Sequence, residues 1–382
     1  MQTKRTEMNI RQMQAALKQF RAVDVSMIKD EKLRAKAQKL QAKQGGFTLL
    51  ELLVVVTLLA ILATGALVAY DSADEKAQSS RAASTIGTLD QGVRAFKAVT
   101  GAYPNQWDNL ADPVTTNLPA GGDDFIPAGL QDILGSFNIA TAFANADVGL
   151  DLEEYFEGGF GIDEIQHVFG GAAGLHTVEP NRAHNEGTNP PDADGGAVET
   201  EFDDFAATGV EETGTGNGVP AFISILASDA FARDEGTRLG CTVGGVDITT
   251  TWGAVDDAGV RNNDIADPLV INSINDALST ERCNLVLAVG FGGDAAQSTV
   301  DSSAGVVQAP TYSSKNVNPA TSYARYIGLF LLAKGDKTNA AEAGNGSSNL
   351  IARNFLARPR LLGFIDTEGN TIDMNIAGAT RD

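Results

Sequence analysis

One carboxylate stands alone in an apolar run. From Phe47 to Ala69 the chain reads FTLLELLVVVTLLAILATGALVA, and Glu51 is its single ionisable side chain. A charge five positions into a membrane-length apolar helix costs about 2.5 to 3.5 kcal/mol on insertion scales unless a partner neutralises it. Snorkelling to the headgroups at the membrane edge is the plainer role for the same residue.

The other residue types that could do chemistry form no working constellation. Cys241 and Cys283 are the only cysteines, and without a C-x-x-C spacing they do not read as a zinc site. His167, His176 and His184 lie 9 and 8 residues apart, which fits no compact metal motif. The segment from Asn189 to Glu199 has the D-x-D-G start of an oxygen-rich calcium loop, with Asp192 and Asp194 as candidate ligands. Gly195 and Gly196 displace the expected third acid and the expected glycine position, so a plain acidic loop is the competing reading. No G-x-S-x-G, H-E-x-x-H, P-loop or Cys/His nucleophile pattern occurs, and Gly290-Phe291-Gly292-Gly293 lacks the strand and helix of a dinucleotide site. The expectation is a protein that is not an enzyme and holds no cofactor, with calcium at Asp192 and Asp194 the one metal candidate.

The charge balance shows where the apolar run must sit. The 382-residue chain has 28 Lys+Arg and 49 Asp+Glu, a net of −21, which excludes a nucleic-acid binder driven by bulk charge. Its mean hydropathy of −0.08 excludes a polytopic membrane protein. Residues 1–46 nevertheless hold 11 basic and 4 acidic residues, a net of +7, so the remainder carries −28. Eleven cations just before a 23-residue apolar helix, roughly 35 Å long, place residues 1–46 in the cytoplasm and the rest beyond the membrane. The leader has no apolar run of secretory-signal length, and its small residues precede the apolar stretch, on the wrong side for signal peptidase. Met27 offers a shorter start with the same basic character.

Gly45-Gly46-Phe47-Thr48-Leu49-Leu50-Glu51 behind this basic leader resembles the class III signal of type IV pilins and type II secretion pseudopilins. The resemblance implies cleavage after Gly46 by a prepilin peptidase, methylation of the new N-terminus at Phe47, and Glu51 in the position of the family's glutamate. Cleavage would create a positive α-amino group at Phe47, which Glu51 of a neighbouring subunit can neutralise, so the pair would set the axial register of a filament. The partners implied are other copies of the chain or related pilins, the prepilin peptidase, an inner-membrane assembly platform and, before assembly, membrane lipid. Nucleic acid is not among them. The implied function is a structural subunit of a pilus-like or pseudopilus filament, a single-pass inner-membrane protein first and a subunit at the cell surface or in the periplasm afterwards. The alternatives are a low-copy minor pilin whose head binds a ligand or secreted substrate, and a membrane-anchored ectodomain that never polymerises. Glu51 argues against the filament-tip pseudopilin, which usually lacks that glutamate.

Beyond Tyr70, Ala82, Ile86, Leu89, Val93 and Phe96 recur at helical spacing, so one helix is predicted from Phe47 to about Thr100, ended by Gly101 with Pro104 beyond. The organisation expected is a leader over 1–46, a long helix over 47–100 with its membrane half at 47–69, and an acidic head over 101–382. The fold class is α+β: a pilin-like helix whose outer half packs on a mainly antiparallel sheet in an enlarged, loop-rich head. Residues 221–227, 284–291, 326–333 and 361–366 are the strongest buried runs. Gly101-Ala102-Tyr103-Pro104 is similar to the G-x-Y-P segment that follows the long helix in major pseudopilins, and also reads as a turn capping the helix with an aromatic. Residues 366–371, DTEGNT, read as a hairpin turn, loosely similar to the D-x-x-G-N turn near the C-terminus of pseudopilins, with Glu368 where an aromatic is usual. Some pseudopilins hold calcium toward the C-terminus, which lends Asp192 and Asp194 no support. An exported head favours a disulfide between Cys241 and Cys283, with two separate buried thiols as the alternative. Between Asp147 and Glu212, 17 acids face one base, Arg182; such density must be solvated, bound to cations or presented to a basic partner.

Overall fold

A computed structural model describes residues 18–20, 22–41, 49–111, 118, 125–169, 199–201, 222–232, 237–238, 240–253, 278, 282–306, 308–335 and 349–380. The chain divides into two compact units, Met1–Asp71 and Ser72–Asp382.

In the first unit a basic helix, Glu31–Gln41, starts beneath Asp30, whose Oδ1 accepts the backbone N–H of Lys32 and Leu33. Its end is tied back by Gln41, whose Nε2 donates to the carbonyls of Phe20 and Val23. The long helix, Leu49–Thr100, begins in this unit and continues into the second.

In the second unit that helix turns one face inward at the predicted spacing: Ala82, Ile86, Leu89, Val93 and Phe96 are all buried. It stops at Gly101, whose φ of +87° suits glycine and whose N–H closes on the Lys97 carbonyl. The strands are β1 (Trp107–Asn109), β2 (Leu134–Asn138), β3 (Glu164–His167), β4 (Glu199–Glu201) and β5 (Phe222–Leu226), then the two-residue β6 (Phe231–Ala232), β7 (Thr237–Arg238), β8 (Thr242–Val243) and β9 (Val246–Asp247). They are followed by β10 (Asn284–Gly290), β11 (Ile327–Lys334), β12 (Asn349–Leu350) and β13 (Phe355–Ile365). The main sheet runs β13-β11-β10-β1-β3-β4, with β5 also on β10 and β2 on β5. All its pairs are antiparallel except β1 with β3.

Both faces of this sheet are covered, which explains the nearly unbroken apolar runs of β10 and β11. Leu285, Leu287 and Val289 join the core beneath the long helix, together with Phe330, Leu332, Trp107 and Phe364. Val286 and Ala288 face the other way, onto Leu329, Leu331, Leu134, Phe125 and Trp252. The fold is therefore α+β, a long N-terminal helix whose outer part packs on a mainly antiparallel sheet.

The 366–371 turn leads into a helix, Ile372–Thr380, and not into the second strand of a hairpin. Thr371 Oγ1 accepts the N–H of Met374, and Asp366 draws Asn375 inward, so the side chains at the turn start a helix. That helix lies against the long helix at small residues: a Cβ on Gly87 would touch Ile372, and one on Gly378 would meet Ser79.

Candidate functional site

The residues expected to carry function lie at the start of the long helix. Glu51 sits in its first turn and is exposed, where a carboxylate also complements the positive end of the helix dipole. Gly46 and Phe47 lie outside the described residues. Leu49–Leu67 has a mean hydropathy of 2.4 with none of its apolar window buried. Leu49, Leu53, Leu59, Ile61 and Leu62 are each more than half exposed, so the helix is apolar all round and lacks a protein-facing side. A helix of that kind needs lipid or a bundle of similar helices as its solvent. Its hydroxyls are already satisfied internally, Thr57 Oγ1 donating to the Val54 carbonyl and Thr64 Oγ1 to that of Ala60. Glu51 is thus the one ionisable group of the span.

The head fastens onto the helix through the residues after Gly101. Tyr103 is buried, stacks edge-on against Phe160 and Phe330, lies under the Lys97 ammonium, and accepts the Leu361 N–H at 2.8 Å. Trp107 is fully buried and donates from Nε1 to the Pro104 carbonyl at 2.6 Å. This G-x-Y-P segment is accordingly a packing device that joins the helix end to β11 and β13.

Cys241 and Cys283 are bonded to one another and fully buried, linking the approach to β8 with the approach to β10. Asp192 and Asp194 lie outside the described residues, as do His176 and His184, while His167 ends β3. Among the described residues no group of three or more His, Cys, Asp or Glu side chains could hold a metal ion.

Sequence reasoning missed a buried polar network behind β1. Asp108 accepts the Tyr323 hydroxyl at 2.6 Å, and both residues are fully buried. Arg325, also buried, donates to the Ala309 carbonyl and to Thr311, within electrostatic reach of Asp108 and Asp294. Burial, then the Asp108 charge, pushes the Tyr323 hydroxyl well above the usual tyrosine range, while burial draws Arg325 down. The glycines that carry no dinucleotide context find their reason here: a Cβ on Gly290 would overlap the Tyr323 hydroxyl, and one on Gly292 would overlap the Asp108 carboxylate. At the C-terminal turn, Asp366 accepts the N–H groups of Glu368 and Asn370 and the Nδ2 of Asn375. Burial raises its pKa, with those hydrogen bonds acting against it. Glu368 accepts from Tyr312, Ser314 and Asn316, tying the turn to the loop before β11.

No curated protein and no solved structure matches the chain. Residues 41–67 match the model of the prokaryotic N-terminal methylation motif, a stretch that takes in Gly46, Phe47, Glu51 and the apolar span. Placed at the head of an exposed apolar helix that leads into an α+β domain, this segment is the prepilin-type cleavage and methylation motif of type IV pilins and pseudopilins.

Proposed function

We propose that the chain is a structural, non-enzymatic subunit of a type IV pilus-like or type II secretion pseudopilus filament. A prepilin peptidase cuts it after Gly46 and methylates Phe47. The subunit waits in the inner membrane with its head outside, and an assembly platform then draws it into a helical array through Leu49–Leu67. One observation carries this reading: the methylation motif runs directly into an apolar helix with no buried side, whose single ionisable residue is Glu51.

In this scheme Glu51 neutralises the α-amino group of a neighbouring Phe47, away from water, where an unpaired charge is costly. Mass spectrometry of the mature N-terminus, in membrane and sheared-surface fractions, tests the route. N-methylated Phe47 in both fractions is expected; an intact leader, or a cut beyond residue 65, would remove the filament reading and leave an anchored acidic ectodomain. The size of the head and its run of 17 acids against one base favour a second reading, a low-copy minor subunit whose head binds a basic ligand or secreted substrate. Quantifying the chain within isolated filaments separates the two.

A further inference from the structure

The stretch before the apolar span folds into a basic element of its own. A short helical turn, Val25–Met27, is capped by Asp24, whose side chain accepts the Ser26 N–H at 2.9 Å. The helix Glu31–Gln41 follows, started by Asp30 and tied back by Gln41 to the carbonyls of Phe20 and Val23. Each acid here is thereby engaged locally, Asp24 and Asp30 as caps and Glu31 with Arg34 at 3.9 Å. Lys18, Lys29, Lys32, Lys36 and Lys39 are all exposed, and among the described residues no carboxylate pairs with any of them. Five cations are left for a partner from outside the segment.

These cations are not spread evenly around the helix. Lys32, Lys36 and Lys39 recur at intervals of four and three, which puts them in one strip. Leu33 and Ala37 lie one turn apart beside that strip, Arg34 flanks them on the other side, and Glu31 and Gln38 occupy the opposite face. Leu33 is more than half exposed, as are Val23 and Met27, so apolar and basic groups share the open surface. Cations flanking an exposed apolar stripe suit a helix lying in the interface of an anionic bilayer, where apolar groups enter the acyl boundary and lysine stems reach the headgroups. The chain holds the segment near such a surface: Gln41 and Leu49 are eight positions apart, a tether of roughly 28 Å at full extension.

We infer that this segment docks on an anionic phospholipid surface beside the membrane span, through Leu33, Met27 and the strip of Lys32, Lys36 and Lys39. Clustered lysines just before a membrane helix are drawn to negative headgroups, and the exposed apolar side chains add burial that charge alone does not supply. The segment is then a second, charged membrane anchor besides the apolar helix. The inference deepens the filament reading and rests on it for the membrane setting. In that setting, cleavage after Gly46 removes the charged anchor and leaves the subunit held by Leu49–Leu67 alone, the helix that must leave the lipid for the filament.

The test uses the full, uncleaved chain in lipid nanodiscs of phosphatidylcholine, with or without phosphatidylglycerol. Cys241 and Cys283 are bonded and buried, so a nitroxide can be placed on Leu33→Cys or on Gln38→Cys alone. In the anionic discs the label at position 33 should be shielded from a water-soluble relaxation agent and reached by oxygen from the lipid, while the label at position 38 stays open to water. Pure phosphatidylcholine, or high salt with the anionic discs, should expose both. Each lysine near an anionic surface is worth about fivefold in the docked population, so K32E/K36E/K39E should lower it more than about 100-fold and expose the label at position 33. Equal exposure of the two labels on anionic discs would overturn the inference and turn the lysines toward an acidic protein surface. So would shielding that ignores lipid charge and salt, a comparison made with the lysines unaltered, or shielding that survives in the triple variant. Failure of the filament reading looks different: an unprocessed N-terminus in cells, with the shielding on anionic discs intact.

Discussion

On the proposed filament reading, replacing Glu51 by alanine should trap the subunit in the membrane. The residue stands in the first turn of a helix whose apolar window has no buried part, so before assembly its carboxylate faces lipid or the headgroup boundary. Removing it stabilises the inserted state by at most about 2.5 to 3.5 kcal/mol, the insertion-scale cost of a charge at the bilayer centre. At 1.4 kcal/mol per tenfold, that sets a ceiling of roughly 60- to 300-fold on the shift toward the membrane from this effect alone. The variant also leaves the Phe47 amine of a neighbour without its carboxylate, which opposes assembly further. Both effects act after cleavage, so processing should continue while the subunit disappears from the sheared fraction. The assay compares processed subunit in membrane and sheared fractions by immunoblot, with the N-terminus read by mass spectrometry. Glu51→Gln separates the contributions, since it keeps the shape and a polar group but loses the charge. A wild-type yield of sheared filament from processed Glu51→Ala would refute the pairing argument.

Other expectations concern the head. Removing the Cys241–Cys283 bond with C241A/C283A, across a sequence separation of 42, should cost about 4 kcal/mol in the chain-entropy model, read as a lower denaturant midpoint. Tyr323→Phe takes a donor from buried Asp108 and should destabilise the head by about 1 to 3 kcal/mol, measured by urea unfolding; an unchanged midpoint would mean that the network contributes nothing. Asp366 has a folded pKa raised by burial, so its contribution is fully present below the ordinary value of 3.8 and is lost as pH rises through the folded value. Relative to Asp366→Asn, wild type should therefore lose stability as pH rises from about 4 toward neutrality; parallel unfolding profiles would contradict this.

Much of the helix was legible because a helix is a local object. The single carboxylate at Glu51, the glycine pair before Phe47 and the period of Ala82 to Phe96 are read from neighbours in sequence, and the burial of that stripe follows the period. The runs that became β5, β10, β11 and β13 were visible for the same reason. The 366–371 turn was misread because a turn motif is compatible with a strand or a helix after it, and side-chain caps from Thr371 and Asp366 decide which. The Asp108–Tyr323 pair was hidden because its members are 215 positions apart, and nothing local marks either as buried. The crowding at Gly290 and Gly292 was the one available signal, and it reads equally well as loop composition.

By itself the sequence determined the basic segment before Phe47, the membrane-length apolar run, the position of its one carboxylate and the net charge on either side of that run. Each is a sum or a spacing over adjacent residues, and hydrophobic transfer and charge act on such quantities directly. Only the tertiary structure decided that Asp108 and Tyr323 meet behind β1, and that two distant cysteines are bonded. Strand order is chosen by the packing of both sheet faces against the helix and the loops, a global balance of burial that local spacing does not encode.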